Sequence, residues 1–172
     1  PEGRQKGQTG AFGGATFAFT YNSATSGDPG SGKFGLNNAS TQQSATQIRI
    51  DDVDGDSSDI QTYLRTIDDS TSTIKGHVKI SNKEDASQFV IYTINSLTEN
   101  TGYFTISVSG IDSSATAPFS NSEECILTFA RTGDIGDPGA PGPSGIQGLQ
   151  GTQGIQGFTG AGTQGPQGTQ GV

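Results

Sequence analysis

The chain has 172 residues, of which 29% are apolar, 27 are glycine and none is methionine or tryptophan; that is too few apolar side chains for one large core. A net charge of −8, from 17 acids and 9 bases, lacks the positive field by which proteins hold phosphate backbones and excludes nucleic acid as a partner. The longest apolar runs, such as Phe89-Val90-Ile91-Tyr92, are far shorter than the roughly 20 residues that span a bilayer, so no membrane span is expected, and the single cysteine excludes an internal disulfide framework.

Glycine divides the chain: thirteen fall in the first 132 residues and fourteen in the last forty. At the start, Gly7, Gly10 and Gly13 are spaced by three, with Gly3 one residue out of phase. Residues 1–14 therefore read as the end of a preceding collagen-like run or a linker; the first of these gives the middle domain collagenous rods at both ends. Residues 15–131 form a β-rich globular domain. Thr16-Phe17-Ala18-Phe19-Thr20-Tyr21, Thr46-Gln47-Ile48-Arg49-Ile50 and residues 74–80, 89–97, 103–111 and 125–130 are rich in β-branched and aromatic residues that alternate or nearly so, the pattern of strands with one buried face. In Ile74-Lys75-Gly76-His77-Val78-Lys79-Ile80 the bases and the sole histidine share one face, so His77 reads as a solvated strand residue and not as a general base. Asp28-Pro29-Gly30-Ser31-Gly32 is expected to be a surface loop and Asn100-Thr101-Gly102 to close a hairpin. Cys125, in an apolar stretch, is expected in the core. One segment has helical spacing: Ile60, Tyr63, Leu64 and Ile67 follow the N-cap candidates Ser58 and Asp59, and Asp68-Asp69-Ser70 stops the run. Six or seven strands and one short helix predict an all-β fold, a β-sandwich or barrel.

Candidates for chemistry are few. In Asp51-Asp52-Val53-Asp54-Gly55-Asp56, Asp52, Asp54 and Asp56 place hard oxygen donors at alternate positions around a glycine and resemble the start of a calcium loop, but the glutamate that closes such a loop is missing. The same acids also read as a turn leading into the helix, favoured by its dipole. Calcium is the one cofactor considered. Asn38-Ala39-Ser40 matches a glycosylation acceptor. A glycan-cleaving enzyme needs paired carboxylates across a cleft; the aspartate cluster and Glu123-Glu124 are the available acids, and their spacing does not pair them. The chain is expected not to be an enzyme.

From residue 132 to 172 the pattern changes. Glycine occupies every third position at Gly133, Gly136, Gly139, Gly142, Gly145, Gly148, Gly151, Gly154, Gly157 and Gly160; after the short triplet Gly160-Ala161-Gly162 the period resumes at Gly165, Gly168 and Gly171. In a collagen triple helix every third residue lies on a crowded axis that only glycine fits, and one chain alone has no hydrogen bonds to hold the conformation. The segment therefore predicts a homotrimer with a collagen-like triple helix, jointed at Ala161 and on the order of 120 Å long at about 3 Å per residue. Proline is sparse, and glutamine recurs at Gln147, Gln150, Gln153, Gln156, Gln164, Gln167 and Gln170, where amides can bond neighbouring chains or water.

Several blocks together carry a resemblance: residues 16–21 after the first glycines, Gly32-Lys33-Phe34-Gly35-Leu36-Asn37-Asn38-Ala39, Ile50-Asp51-Asp52, residues 68–77, and Leu127-Thr128-Phe129-Ala130-Arg131-Thr132-Gly133-Asp134. Over its whole length the chain resembles collagen-like tail-fibre and virion structural proteins of bacteriophages, in which Gly-x-y runs alternate with β-rich modules. The resemblance implies a trimeric, fibrous, virion-attached role, and it brings no catalytic or binding residues with it. The expected function is a structural fibre with the β-domain as trimerising knob, on a virion or an extracellular surface, in contact with a host-surface glycan or receptor. The alternative is a bacterial surface filament carrying a carbohydrate-binding module, which would need exposed aromatics such as Tyr63, Tyr92 or Tyr103 in a groove.

Overall fold

The computed structural model describes residues 14–154 and 157, and the chain divides into two units, Pro1–Asp137 and Pro138–Val172. Seven strands are described, β1 (Gly14–Asn22), β2 (Lys33–Leu36), β3 (Gln47–Asp51), β4 (Gly76–Asn82), β5 (Phe89–Glu99), β6 (Tyr103–Ser113) and β7 (Glu124–Arg131), with one helix, α1 (Gln61–Asp68), and a 3-10 turn at Gln42–Ser44. The strands pair in the order β1-β2-β3-β6-β5-β4-β7, and β7 pairs back onto β1, closing a barrel. Of the two architectures that the pattern allowed, the fold is the barrel. All pairs are antiparallel except β1 with β2. In the second unit, residues 138–154 and 157 carry no helix or strand and are exposed.

Alternation explains the interior. In β4, Val78 and Ile80 point inward while His77 and Lys79 are exposed; in β5, β6 and β7 the inward residues include Val90, Tyr92, Ile94, Phe104, Ile106, Val108, Cys125, Leu127 and Phe129. A ring of seven strands is narrow enough for side chains alone to fill. Register shifts between Ile91 and Tyr92 and between Ile94 and Ser96 in the β5–β6 pair bend these long strands around it. Cys125 is fully buried, and burial, with Glu123 nearby, pushes its thiol up to about 12.

The lower end of the barrel is the one at which β1 begins and β7 ends. α1 covers it, burying Leu64 and Ile67 while Tyr63 packs with Phe17 and Phe129 at ring-centroid distances of 5.3 and 6.2 Å. The upper end is closed by the 3-10 turn. Gln42 is buried there and reads the backbone of Phe119 on both sides, Nε2 donating to its carbonyl at 2.7 Å and Oε1 accepting from its N–H at 2.9 Å. The Tyr92 hydroxyl donates to the Gln42 carbonyl. Gly110 admits this turn, since a Cβ there would stand 2.1 Å from the Gln43 carbonyl oxygen.

Four local features differ from what the sequence suggests. β2 was not foreseen as a strand, because four residues, one of them Gly35, show no periodicity. Gly35 is nonetheless required, as a Cβ would stand 2.3 Å from Arg49 Nη2. Arg49, on the outer face of β3, is buried, with Nη1 donating to Gly27 O at 2.8 Å and Nη2 to Ala24 O and to Leu36 O. It clasps the loop of residues 23–32 against the sheet, so that Pro29 is buried in what was expected to be a surface loop. Ile74, expected on the inner face of a strand, precedes β4 and is 41% exposed. Finally, Ser58 does not cap α1: the Asp59 carboxylate meets the Gln61 N–H at 2.9 Å, and Ile60 occupies the cap position without a side-chain bond.

Gln42→Leu leaves the Phe119 N–H and C=O without their partners, and each buried group so orphaned costs roughly 1–3 kcal/mol. Urea unfolding should show that loss, while Ser44→Ala, at an exposed position of the same turn, should stay within about 0.5 kcal/mol of the parent. Equal effects would mean that Gln42 does not close the upper end.

Candidate functional site

The feature most relevant to a fibre is the place where β7 hands the chain to the glycine run. The β4–β7 ladder continues one residue past β7, Thr132 N donating to Lys75 O at 2.9 Å. The first triplet is then held against residues 70–75. Ser70 Oγ donates to Gly133 O at 3.2 Å, Asp134 Oδ1 accepts from Thr71 N at 3.1 Å, and Ile135 N donates to Thr71 Oγ1 at 3.0 Å. Ser70 is buried and its hydroxyl also accepts from Ser72 N at 3.2 Å. Lys75 Nζ donates to Ser70 O and, at 3.4 Å, to Asp68 O, bracing the loop from within. Sequence reasoning missed these partners, since a Ser-Thr-Ser-Thr stretch shows only that a loop is present. Of the expected axial glycines, Gly133 to Gly157 are exposed, and Gly160, Gly162, Gly165, Gly168 and Gly171 lie outside the described residues, as do the glycines of 1–13 and the joint at Ala161.

The aspartate loop fills the seam that short β2 leaves beside β1. Gly55 N donates to Ala18 O at 2.7 Å, and Val53 bridges Asp59. Asp54 is buried, and its Oδ1 accepts from Asp56 N at 3.0 Å and Ser58 N at 2.8 Å; Asp51 Oδ2 accepts from Gly32 N at 3.0 Å and Val53 N at 3.2 Å. Asp56 is exposed, and Asp52 buries an Oδ1 with no hydrogen-bond partner among the described residues. Asp52, Asp54 and Asp56 therefore do not converge, and no group of three acidic, histidine or cysteine side chains among the described residues is placed to hold a metal ion. Backbone N–H groups of Asp56 and Ser58 occupy Asp54 Oδ1.

Beside α1 lies an open groove of about 300 Å³ lined by Arg65, Asp68, Asp69, Leu97, Glu99 and Phe104. Glu99 engages Arg65 at both oxygens, at 3.0 and 2.6 Å. That pairing holds the Glu99 carboxyl below its ordinary value and raises the guanidinium. The tyrosines that a carbohydrate site would need do not line the groove: Tyr92 is fully buried and Tyr63 packs into the core. Tyr103 is half-buried at the start of β6, so of the three tyrosines only Tyr92 is withdrawn from the surface altogether. Glu123 and Glu124 stand across β1 from the aspartate loop, Glu124 opposite Thr20 on the β7 side. Glu124 pairs with Lys83 at 3.0 Å, and Glu123 accepts from Ser120 N at 2.6 Å and from Asn82, so the two sets of acids do not face each other. Asn38 is half-buried, its Oδ1 accepting from Thr41 N at 2.9 Å. No helix among the described residues is long and apolar enough to cross a membrane.

Burial raises the Asp52 carboxyl above its ordinary value, and repulsion from Asp51, Asp59 and Glu99 adds to this. An acid whose folded pKa lies above the unfolded one destabilises the fold when ionised and relieves it as pH falls through the folded pKa. Asp52→Asn should thus raise the urea midpoint at neutral pH, and the gain should shrink as acid protonates Asp52 in the parent. Calcium should move neither protein beyond an ionic-strength control; a calcium-induced rise abolished by Asp54→Asn would restore the metal loop.

Comparison with family models, with curated proteins and with solved structures finds no match to this chain.

Proposed function

We propose that the chain is a structural unit of a homotrimeric fibre on a virion or other extracellular surface, in which a β-barrel is followed by a collagen-like triple helix made by three copies. The observation that carries this reading is the contrast between two sets of glycines. In the barrel and its loops most have a local cause: a positive φ at Gly27, Gly30, Gly32 and Gly102, or a close neighbour at Gly35, Gly76 and Gly110. Gly76, for instance, would bring a Cβ to 2.4 Å from the Ala130 carbonyl oxygen. From Gly133 to Gly157 the nine glycines have neither cause: φ is not in the left-handed region at any of them, and nothing lies within 4 Å of where a Cβ would stand. A strict period with no cause inside the chain points to other chains, and the crowded axis of a triple helix supplies that cause.

The hydrogen-bonded first triplet supports the same reading. A run that starts from a fixed point on a folded domain begins in register in each copy, and joining the strands to associated domains raises their effective concentration.

Sedimentation equilibrium of the full chain should give three times the chain mass. Circular dichroism should show a positive polyproline-type band that is lost on heating, and Gly148→Ala should lower the melting of that band while leaving the barrel's own transition unchanged. A monomer, or a band indifferent to Gly148→Ala, would sink the proposal.

A further inference from the structure

We infer that the copies of the barrel meet one another at their lower ends, with Ile74 and Ile135 forming the apolar contact between one copy and the next. This rests on the trimeric reading above and adds which surface of the barrel does the work. Antiparallel pairing sets Gly14 opposite Ala130, a Cα separation of about 4.5–5.5 Å, so the chain reaches the barrel and leaves it on adjacent strands at one end. The start of β1 and the end of β7 therefore lie side by side at the lower end.

Exposed apolar surface gathers at the same end. In the first unit the exposed large apolar side chains among the described residues are Ile74 at 41%, Ile111 at 50% and Ile135 at 62%. Two of these three belong to the junction. Ile135 is the last residue of the first triplet and donates its N–H to Thr71, and Ile74 precedes Lys75, whose carbonyl receives Thr132 N. A triple helix would bring three copies of Gly133 side by side on one axis. The Ile135 two residues on, and the loop bonded to it, would then stand beside the neighbouring copies, where side chains left in water by a single chain find cover. The upper-end loops of residues 37–46, 83–88 and 114–123 carry no large exposed apolar side chain; Phe119, their one aromatic residue, is buried. Ile111, two residues before the end of β6, is the one exposed large apolar side chain near that end among the described residues, and it stands without a second beside it, whereas Ile74 and Ile135 lie on segments bonded to each other.

The test is disulfide capture in the full chain. Cys125 can stay in place, because it is fully buried. Ile74→Cys puts a thiol at the proposed contact, and Ala86→Cys, at an exposed position of the β4–β5 turn, puts one at the upper end. Under mild oxidation at low protein concentration, Ile74→Cys should give covalent dimers at about tenfold or more the yield of Ala86→Cys, as thiols held at high effective concentration do. Equal capture, capture through position 86 alone, or none from either variant in a protein that sediments as a trimer overturns the assignment of the lower end. A monomer in sedimentation instead removes the trimeric reading and this inference with it, so the two failures can be told apart.

Discussion

The pairing of β1 with β7, from Gly14 opposite Ala130 to Thr20 opposite Glu124, is the interaction on which the rest of the structure depends. It joins the first strand of the domain to the last and turns a seven-stranded ribbon into a ring. An open sheet of these lengths would present two rows of unpaired N–H and C=O groups, each a template for unwanted pairing; closure removes both. It also makes the fold strongly non-local, since the pairing cannot form until the whole domain is available and a long loop must be closed first. And it obliges the chain to leave the barrel beside the point at which it arrived.

Closure is imperfect where β2 is short, and the barrel meets the shortfall with side chains that stand in for strand. The aspartate loop lies along β1 with its backbone held by its own carboxylates, Asp51 and Asp54. Arg49 serves carbonyls at Gly27, Ala24 and Leu36 with no carboxylate partner among the described residues, a task suited to a planar guanidinium with several fixed donors and unsuited to the single ammonium of lysine. Burial lowers the Arg49 pKa, which marks the cost of this arrangement without discharging the group. At the upper end Gln42 pairs with Phe119 as a neighbouring strand would. These three devices share one logic: a buried backbone group must be paired, and a polar side chain of the right length can pair it where no strand reaches.

This explains which parts of the molecule were legible in the sequence. Strands β1, β3, β4, β5, β6 and β7 announce themselves through alternation, because each buries one face over several residues, and α1 shows through the spacing of Ile60, Leu64 and Ile67. β2 is too short to display a period. Gln42 and Arg49 look like ordinary polar residues, since what distinguishes them is a partner 77 positions away in one case and a covering loop in the other. The aspartates were visible as a cluster, but a cluster does not say whether its oxygens face a cation or the chain's own N–H groups. The junction was hidden for the same reason: Ser70 and Thr71 acquire their role from Gly133, Asp134 and Ile135, which reach them only once β7 lies beside β4. The choice between sandwich and barrel, too, turns on whether β7 finds β1, a contact that neither strand's own pattern encodes.

The division between the two units falls after Asp137, six residues beyond the last residue of β7, so the first glycine triplet belongs structurally to the barrel although its sequence belongs to the repeat. That overlap matters for a fibre. A Gly-x-y repeat has nearly identical triplets and can pair with its neighbours in many registers, each differing by three residues and little in energy. Residues 70–71 hold the first triplet of the series through the hydroxyls of Ser70 and Thr71 and the Thr71 N–H, just after the Lys75 carbonyl has taken Thr132 N. A repeat cannot specify its own starting point; in the trimeric fibre proposed above the barrel would specify it, and the closure of β1 on β7 is what puts the loop and the triplet within reach of each other.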